Sequence, residues 1–242
     1  MTAHHLPIVR TIRSFARRTG LLQVVKRFLN SGSNEYEDAF SNAMLSRITA
    51  GDTVWDIGAN VGYYSAKFCE RVGDTGRVIA FEPLPEAFES LKVTMNAFPS
   101  TCYELCQIAI SDRQGIAYFE GQSEGTVTTT AHLSESDSQT EMPAAGKIAV
   151  DVTTVDLIQS SQNLCHPTIT KIDVEGFEGE VIRGGEKVFS SDKSKHIFLE
   201  IHFARLDERR LSNTPNQIVK MLKSWGYQVK WIDPSHVHAF RI

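Results

Sequence analysis

Apolar residues along this chain fall into two alternating rhythms. Short, largely apolar runs, Thr53–Ile57 and Arg77–Phe81 first among them, read as buried strands, and the stretches between them carry apolar positions at helical spacing. The pattern predicts a helix over Tyr36–Ile48 closed by Ala50 and Gly51, a strand over Thr53–Ile57, and a helix from about Val61 to Arg71. A Gly73-Asp74-Thr75-Gly76 turn leads to the second strand, and Pro85 and Glu86 open a helix that runs to Asn96. Further strands are expected at Cys106–Ile110, Thr168–Asp173 and His196–Phe203, with a helix over Glu178–Phe189 before the last of them. Thr214 and Pro215 begin another helix, Gly226 ends it, and Tyr227–Ile232 and Val237–Ile242 flank an Asp233-Pro234-Ser235-His236 turn as a terminal hairpin. Strand and helix alternate regularly, which argues for an α/β, doubly wound sheet, mostly parallel, with a C-terminal antiparallel hairpin and added N-terminal helices.

Two segments depart from that rhythm. Gly115–Gly121 and Lys147–Thr153 alternate polar and apolar residues and are expected to form an antiparallel accessory pair. Between them, Gln122–Gly146 is rich in Ser, Thr and acids. A loop of that length inside a compact domain either binds something or is disordered, so it is read as a lid over a ligand site or as plain disorder.

Composition narrows the class. A chain of 242 residues, 41% hydrophobic, can bury one sizeable core. Its net charge of −4 makes it a poor electrostatic match for nucleic acid. The charge is uneven, because residues 1–30 carry Arg10, Arg13, Arg17, Arg18, Lys26 and Arg27 and no acid, leaving −10 on the remainder. With Ile8, Ile12, Phe15, Leu22, Val25 and Leu29 at helical spacing, residues 1–34 read as a basic amphipathic helical segment and linker ahead of a domain at 35–242. Such a segment either packs on the body or meets an anionic lipid, a lipid-linked glycan or an acidic partner. No run reaches the roughly 20 apolar residues of a membrane span, and no signal-peptide core is recognisable, so a soluble, cytoplasmic protein is expected. Cys69, Cys102, Cys106 and Cys165 form no C-x-x-C pair, so neither disulfide nor zinc is expected.

The chemistry centres on Asp56-Ile57-Gly58-Ala59-Asn60-Val61-Gly62-Tyr63-Tyr64-Ser65, a strand running into a glycine-bearing turn and a helix. A dinucleotide fingerprint would need glycines at positions 60 and 63, where Asn60 and Tyr63 stand, so a pyrophosphate is disfavoured. Arg77–Pro83 supplies a second apolar run ending in an acid, Glu82, at about the interval where such folds bind ribose hydroxyls. The first pattern resembles the opening motif of S-adenosylmethionine-dependent methyltransferases of the Rossmann-like class. Joined by Thr153–Leu157, Lys171–Glu178 and Phe198–His202, it resembles the FkbM family over roughly residues 50–205.

That resemblance implies an O-methyltransferase acting on a hydroxyl of a sugar, glycan or polyketide-type natural product. It implies that Asp56 and the Gly58–Gly62 turn hold the methionine head of S-adenosylmethionine, lined by Asn60 and Tyr64. Glu82 would then grip the ribose and Ser111 and Asp112 flank the adenine, with Asp173 bordering cofactor and acceptor. The structural alternatives are turn capping for Asp56 and Asp112 and a solvated strand end for Glu82.

A sugar-type hydroxyl needs its proton removed before it attacks. Asp173 and Glu175, like Glu200 and His202, are two apart, so on extended backbone each pair faces one way, and the two strands are expected neighbours. His202 is the first choice as base because a free imidazole titrates near about 6.5, whereas Glu200 or Asp173 would need a raised pKa. The rival is a divalent cation on Asp173, Glu175 and Glu200. The bland readings are capping of the helix beyond Gly176 for Asp173 and Glu175, and a packed strand residue for His202. His236 and His238 share a face of the last strand and read as ordinary strand residues, with no acid partner near in sequence. An NAD-linked oxidoreductase and a non-catalytic protein that keeps the scaffold are the competing classes. Asn60 and Tyr63 oppose the first, and the intact Asp56, Glu82, Asp173 and Glu200 oppose the second.

Overall fold

Side-chain parity along the first two strands already divides the interior in two. In the computed structural model, which describes residues 35–120 and 147–241, β1 (Thr53–Ile57) and β2 (Arg77–Phe81) pair in parallel. Trp55, Ile57, Ile79 and Phe81 point into one core, and Val54, Val78 and Ala80 into the other, because successive strand residues face opposite sides. Both faces are therefore covered by helices. On the second face lie α1 (Glu35–Leu45), α2 (Tyr63–Val72) and α3 (Pro85–Met95), contributing Phe40, Met44, Phe68, Val72, Leu91 and Met95.

The remaining strands are β3 (Tyr103–Cys106), β4 (Ala109–Ser111), β5 (Gly115–Glu120), β6 (Lys147–Thr154), β7 (Ile169–Ile172), β8 (His196–Glu200), β9 (Gln228–Trp231) and β10 (His236–Phe240). The remaining helices are α4 (Val155–Ser161), α5 (Glu178–Gly184), α6 (Glu186–Ser190), α7 (Phe203–Glu208) and α8 (Thr214–Ser224). The main sheet has seven strands in the order β3-β2-β1-β7-β8-β10-β9. Its first five strands are parallel, and β10 runs antiparallel to both β8 and β9 as the expected terminal hairpin. The order of strands reverses between β1 and β7, and the carboxyl edge there is where open α/β sheets place their ligands. The accessory pair is present as β5 and β6, with β4 added parallel to β6 in a separate three-stranded sheet.

Three departures from the sequence pattern bear on the site. The run Cys106–Ile110 is split, because the chain leaves the main sheet after Cys106 and enters the small one at Ala109. The helix expected over Glu178–Phe189 breaks at Gly184 and Gly185. A Cβ at Gly184 would lie 2.0 Å from the carbonyl oxygen of Ser111, so the bare glycine lets α5 pass against β4. The last parallel strand stops at Glu200, and His202 precedes α7 instead of extending the strand. The basic segment within residues 1–34 and the loop Gln122–Gly146 lie outside the described residues. Among the described residues, no helix is long and apolar enough to cross a membrane.

Gly184→Ala is expected to lower stability by about 1–3 kcal/mol through overpacking against backbone that cannot swing aside. A urea midpoint equal to that of the natural protein would show that α5 and β4 do not meet as described.

Candidate functional site

The turn after β1 is built to bend. Gly58, Asn60 and Gly62 all have positive φ, at 82°, 50° and 86°. A Cβ at Gly58 would lie 1.9 Å from the carbonyl oxygen of Asp173, so this position accepts no side chain. The turn's amides are largely committed inside the protein. Gly58 and Ala59 donate to the carbonyl of Phe81, each at 3.0 Å, Gly62 donates to Ala59, and Asn60 donates to Glu82 Oε2 at 2.9 Å. A phosphate would find few donors here.

Asp56 is fully buried and does not face outward. Ser65 donates its hydroxyl to Asp56 Oδ2 at 2.6 Å, and the ammonium of Lys171 lies 3.1 Å from Oδ1. The expectation that Asp56 touches a ligand is thus corrected. Its carboxylate is enclosed beside Ser65 and Lys171, where it secures the turn and helix. Lys171, which the sequence offered only as part of a motif, is 2% exposed and also reaches Asp173 Oδ2 at 3.4 Å and the carbonyl of Gly58 at 3.0 Å. Burial alone would lower its pKa, but Asp56 and Asp173 more than offset that, and the ammonium stays charged. Tyr64 lies at the same place, its ring centroid 5.3 Å from that ammonium.

Glu82 stands at the end of β2, 6% exposed, accepting from Asn60 at one oxygen and from the amide of Leu84, 2.9 Å away, at the other. Burial pushes its carboxyl up to about 7, with these two bonds working against the shift. Ionising it costs on the order of 3 kcal/mol relative to a free carboxyl, at 1.36 kcal/mol per unit. Hydroxyl donors from a ligand would relieve that cost.

Ser111 and Asp112 are placed differently from expectation. They belong to β4 and the turn beyond it, outside the main sheet, and the exposed Asp112 is held by Arg183 at 2.9 Å. The residues that follow β3 directly are Gln107 and Ile108, next to Glu82, whose amide donates to the Cys106 carbonyl at 3.1 Å. The signal for them was the strand end at Cys106, which the apolar run up to Ile110 concealed.

Beyond β7 and β8 the acids converge by a route other than strand alternation. Asp173 and Glu175 lie past the end of β7 in a turn where Glu175 has φ 53° and Gly176 φ 96°. His202 lies past the end of β8. The fully buried Glu178 places Oε1 2.8 Å from His202 Nδ1. His202 Nε2 then lies 3.7 Å from Asp173 Oδ1, 3.6 Å from Glu175 Oε2 and 3.7 Å from Glu200 Oε1. Burial opposes the charged imidazole, but Glu178, Asp173 and Glu175 raise it to about 9. The sequence argument from an imidazole near neutrality is corrected accordingly, since at neutral pH this ring rests protonated. Burial lifts the Asp173 carboxyl to about 6 against the pull of Lys171. Burial would also lift Glu200, but the nearby His236 and the charge of His202 hold it below the ordinary value. Asp173, Glu200 and His202 each offer a ligand atom within 4.8 Å of the others, a set that could hold a divalent cation.

His236 has an acid partner after all. Asp233, three residues earlier, lies 2.7 Å from its Nδ1, and the β8–β10 register sets it opposite Glu200, with Nε2 3.6 Å from Glu200 Oε2. Phe40 of α1 stacks on its ring at 4.1 Å, so α1 roofs this end of the edge.

Comparison with known proteins follows the same lines. A curated relative, the hexuronic acid methyltransferase AglP of Haloferax volcanii, is 24% identical over 196 residues, covering 81% of this chain and 74% of its own. A solved candidate rRNA methylase from Clostridium thermocellum superposes with a TM-score of 0.54 at 12% identity, covering 86% of this chain and 96% of that one. A candidate methyltransferase from Streptococcus mutans in complex with SAH gives 0.51 at 7% identity, covering 85% and 97%. These two likenesses establish the methyltransferase fold. The family model described as the methyltransferase FkbM domain matches residues 56–229, the greater part of the chain, and the protein therefore belongs to the FkbM methyltransferase family.

Proposed function

We propose that this methyltransferase transfers the methyl group of S-adenosylmethionine to a hydroxyl of a sugar or glycan. One observation carries the reading most directly. A buried carboxylate, Glu82, is held by the Asn60 amide beside a turn whose donors are mostly spent within the protein. That arrangement suits a ligand with ribose hydroxyls and no phosphate. The likeness to the Haloferax hexuronic acid methyltransferase supports a sugar over a polyketide-type acceptor.

The residues present fit such a donor. Glu82 would accept the ribose hydroxyls, Gln107 and Ile108 would border the adenine, and Asn60 and Tyr64 would line the methionine end, with Ser111 and Asp112 behind the adenine side. Asp173, Glu175 and Glu200 give the edge a negative field that favours a sulfonium. S-adenosylmethionine, when bound, supplies a methyl group activated by its positive sulfur. The chain's own part is to hold the acceptor hydroxyl in line and take its proton. His202 Nε2, in its deprotonated form, receives that proton as the new O–C bond forms and the S–C bond breaks. Asp173 and Glu200 orient the acceptor.

A second reading is favoured by the clustered ligand atoms of Asp173, Glu200 and His202. A divalent cation there would lower the acceptor's pKa directly. Turnover abolished by a chelator and restored by manganese or magnesium would select it over base catalysis.

Glu82→Ala is expected to weaken binding of S-adenosylhomocysteine by at least about tenfold, the loss of charged hydrogen bonds worth about 1.5–3 kcal/mol. Calorimetric affinity equal to that of the natural protein would reject the ribose assignment. Hydroxyl donors favour the ionised form, so the bound carboxyl titrates below its free value of about 7. Affinity should therefore be flat above that pH and fall as pH drops below it, by up to about tenfold per unit.

His202→Ala is expected to lower kcat by about 10²–10⁴ while leaving S-adenosylhomocysteine affinity unchanged. Incubation with labelled donor and a panel of uronic acids, neutral sugars and polyketide alcohols tests the acceptor class. Transfer to the polyketide alcohols alone would overturn the sugar reading.

A further inference from the structure

One buried carboxylate joins the two segments that carry the acceptor-side residues. We infer that Glu178 is the positioning residue of this site, fixing His202 so that Nε2 is the nitrogen presented to the acceptor; the inference rests on the reading of His202 as base. Glu178 opens α5 and is fully buried. A carboxylate at the start of a helix ordinarily caps the helix's own amides. This one turns back instead, and its Oε1 accepts from the amide of Gly176 at 2.9 Å while lying 2.8 Å from His202 Nδ1.

The direction of that second bond follows from chemistry. Oε1 takes the Gly176 N–H and the His202 contact together, as a carboxylate oxygen with two lone pairs can. With Glu178 as a carboxylate, which can only accept, Nδ1 carries the hydrogen and Nε2 is left to gain or lose a proton. Three carboxylates lie 3.6–3.7 Å from Nε2, too far to bond it, which keeps that nitrogen open to an incoming hydroxyl.

The same oxygen ties down the turn that carries Asp173 and Glu175. Glu175 sits at positive φ, a costly conformation for a residue with a Cβ, and a Cβ at Gly176 would lie 2.6 Å from that of Arg205 on α7. Arg209, from the turn that ends α7, bonds the Gly176 carbonyl, sits 3.8 Å from the centre of the Phe177 ring and pairs with Glu180 at 2.6 Å. Glu178 thus fastens the turn at the Gly176 amide and links it to His202, while Arg209 fastens it at the Gly176 carbonyl.

The test combines spectroscopy with kinetics on the full chain. In 15N-histidine correlation spectra of the free protein, the His202 signals should report a strongly bonded Nδ1–H, and they should shift in Glu178→Ala and Glu178→Gln. With glucuronic acid as acceptor, Glu178→Ala should lower kcat on the order of 10²-fold, part of the 10²–10⁴ a positioned base supplies. Glu178→Gln, which keeps an acceptor oxygen but no charge, should recover part of that loss. KM for the donor and affinity for S-adenosylhomocysteine should stay within about threefold. His202 signals and kcat unchanged in Glu178→Gln would overturn the inference, as would a loss in Glu178→Ala confined to the melting midpoint. If His202→Ala keeps the natural kcat while the Glu178 variants still shift the His202 signals, the positioning stands and the base assignment falls instead.

Discussion

A single ammonium group, buried where the strand order reverses, holds this site together. Lys171 joins Asp56 on β1, Asp173 beyond β7 and the carbonyl of Gly58 in the turn. Taking three charges out of water is expensive, and removing one member of such a set typically costs about 3–5 kcal/mol because the others are left uncompensated. The constraint works in both directions. The lysine cannot be buried without the two acids, and the acids cannot be held this close without the lysine. Around that knot the rest is arranged, with Ser65 bonding the far oxygen of Asp56 at the start of α2 and Tyr64 lying beside the ammonium.

The edge is then divided by electrostatics into two halves with different needs. Glu82 stays costly to ionise even with the amides of Asn60 and Leu84 donating to it, so further donors such as hydroxyls would be welcome there. Glu178, Asp173 and Glu175 instead hold an imidazole charged, with Glu200 beside it. The first half is an acceptor awaiting donors, and the second is a reservoir for one proton. The ribose of a methyl donor and the proposed hydroxyl acceptor would suit those halves in turn.

Much of this was legible in the chain itself. The alternation of apolar runs and helical periods indicated a doubly wound sheet, and the order of strands and the terminal hairpin agree with it. The meeting of Asp173, Glu200 and His202 was anticipated, although the stated reason, strand parity, does not apply, because all but Glu200 lie past the strand ends. What escaped detection depends on contacts distant in sequence. Nothing local in a glycine pair says that a carbonyl at Ser111 will crowd Gly184. A lysine in an apolar run reads as a strand end at the surface, since lysines are rarely buried unless paired, and the pairing of Lys171 spans more than a hundred residues. The role of Glu178 is hidden in the same way, its histidine partner lying 24 positions away.

The close approach of Gly58 to the Asp173 carbonyl has a further consequence. Backbone meets backbone there, so the turn after β1 and the segment after β7 are locked at a fixed spacing, and a side chain at position 58 could enter only by pushing one of them aside. Sequence drift that preserves the fold is therefore steered away from this junction and toward places where side chains, and not main chain, set the distance.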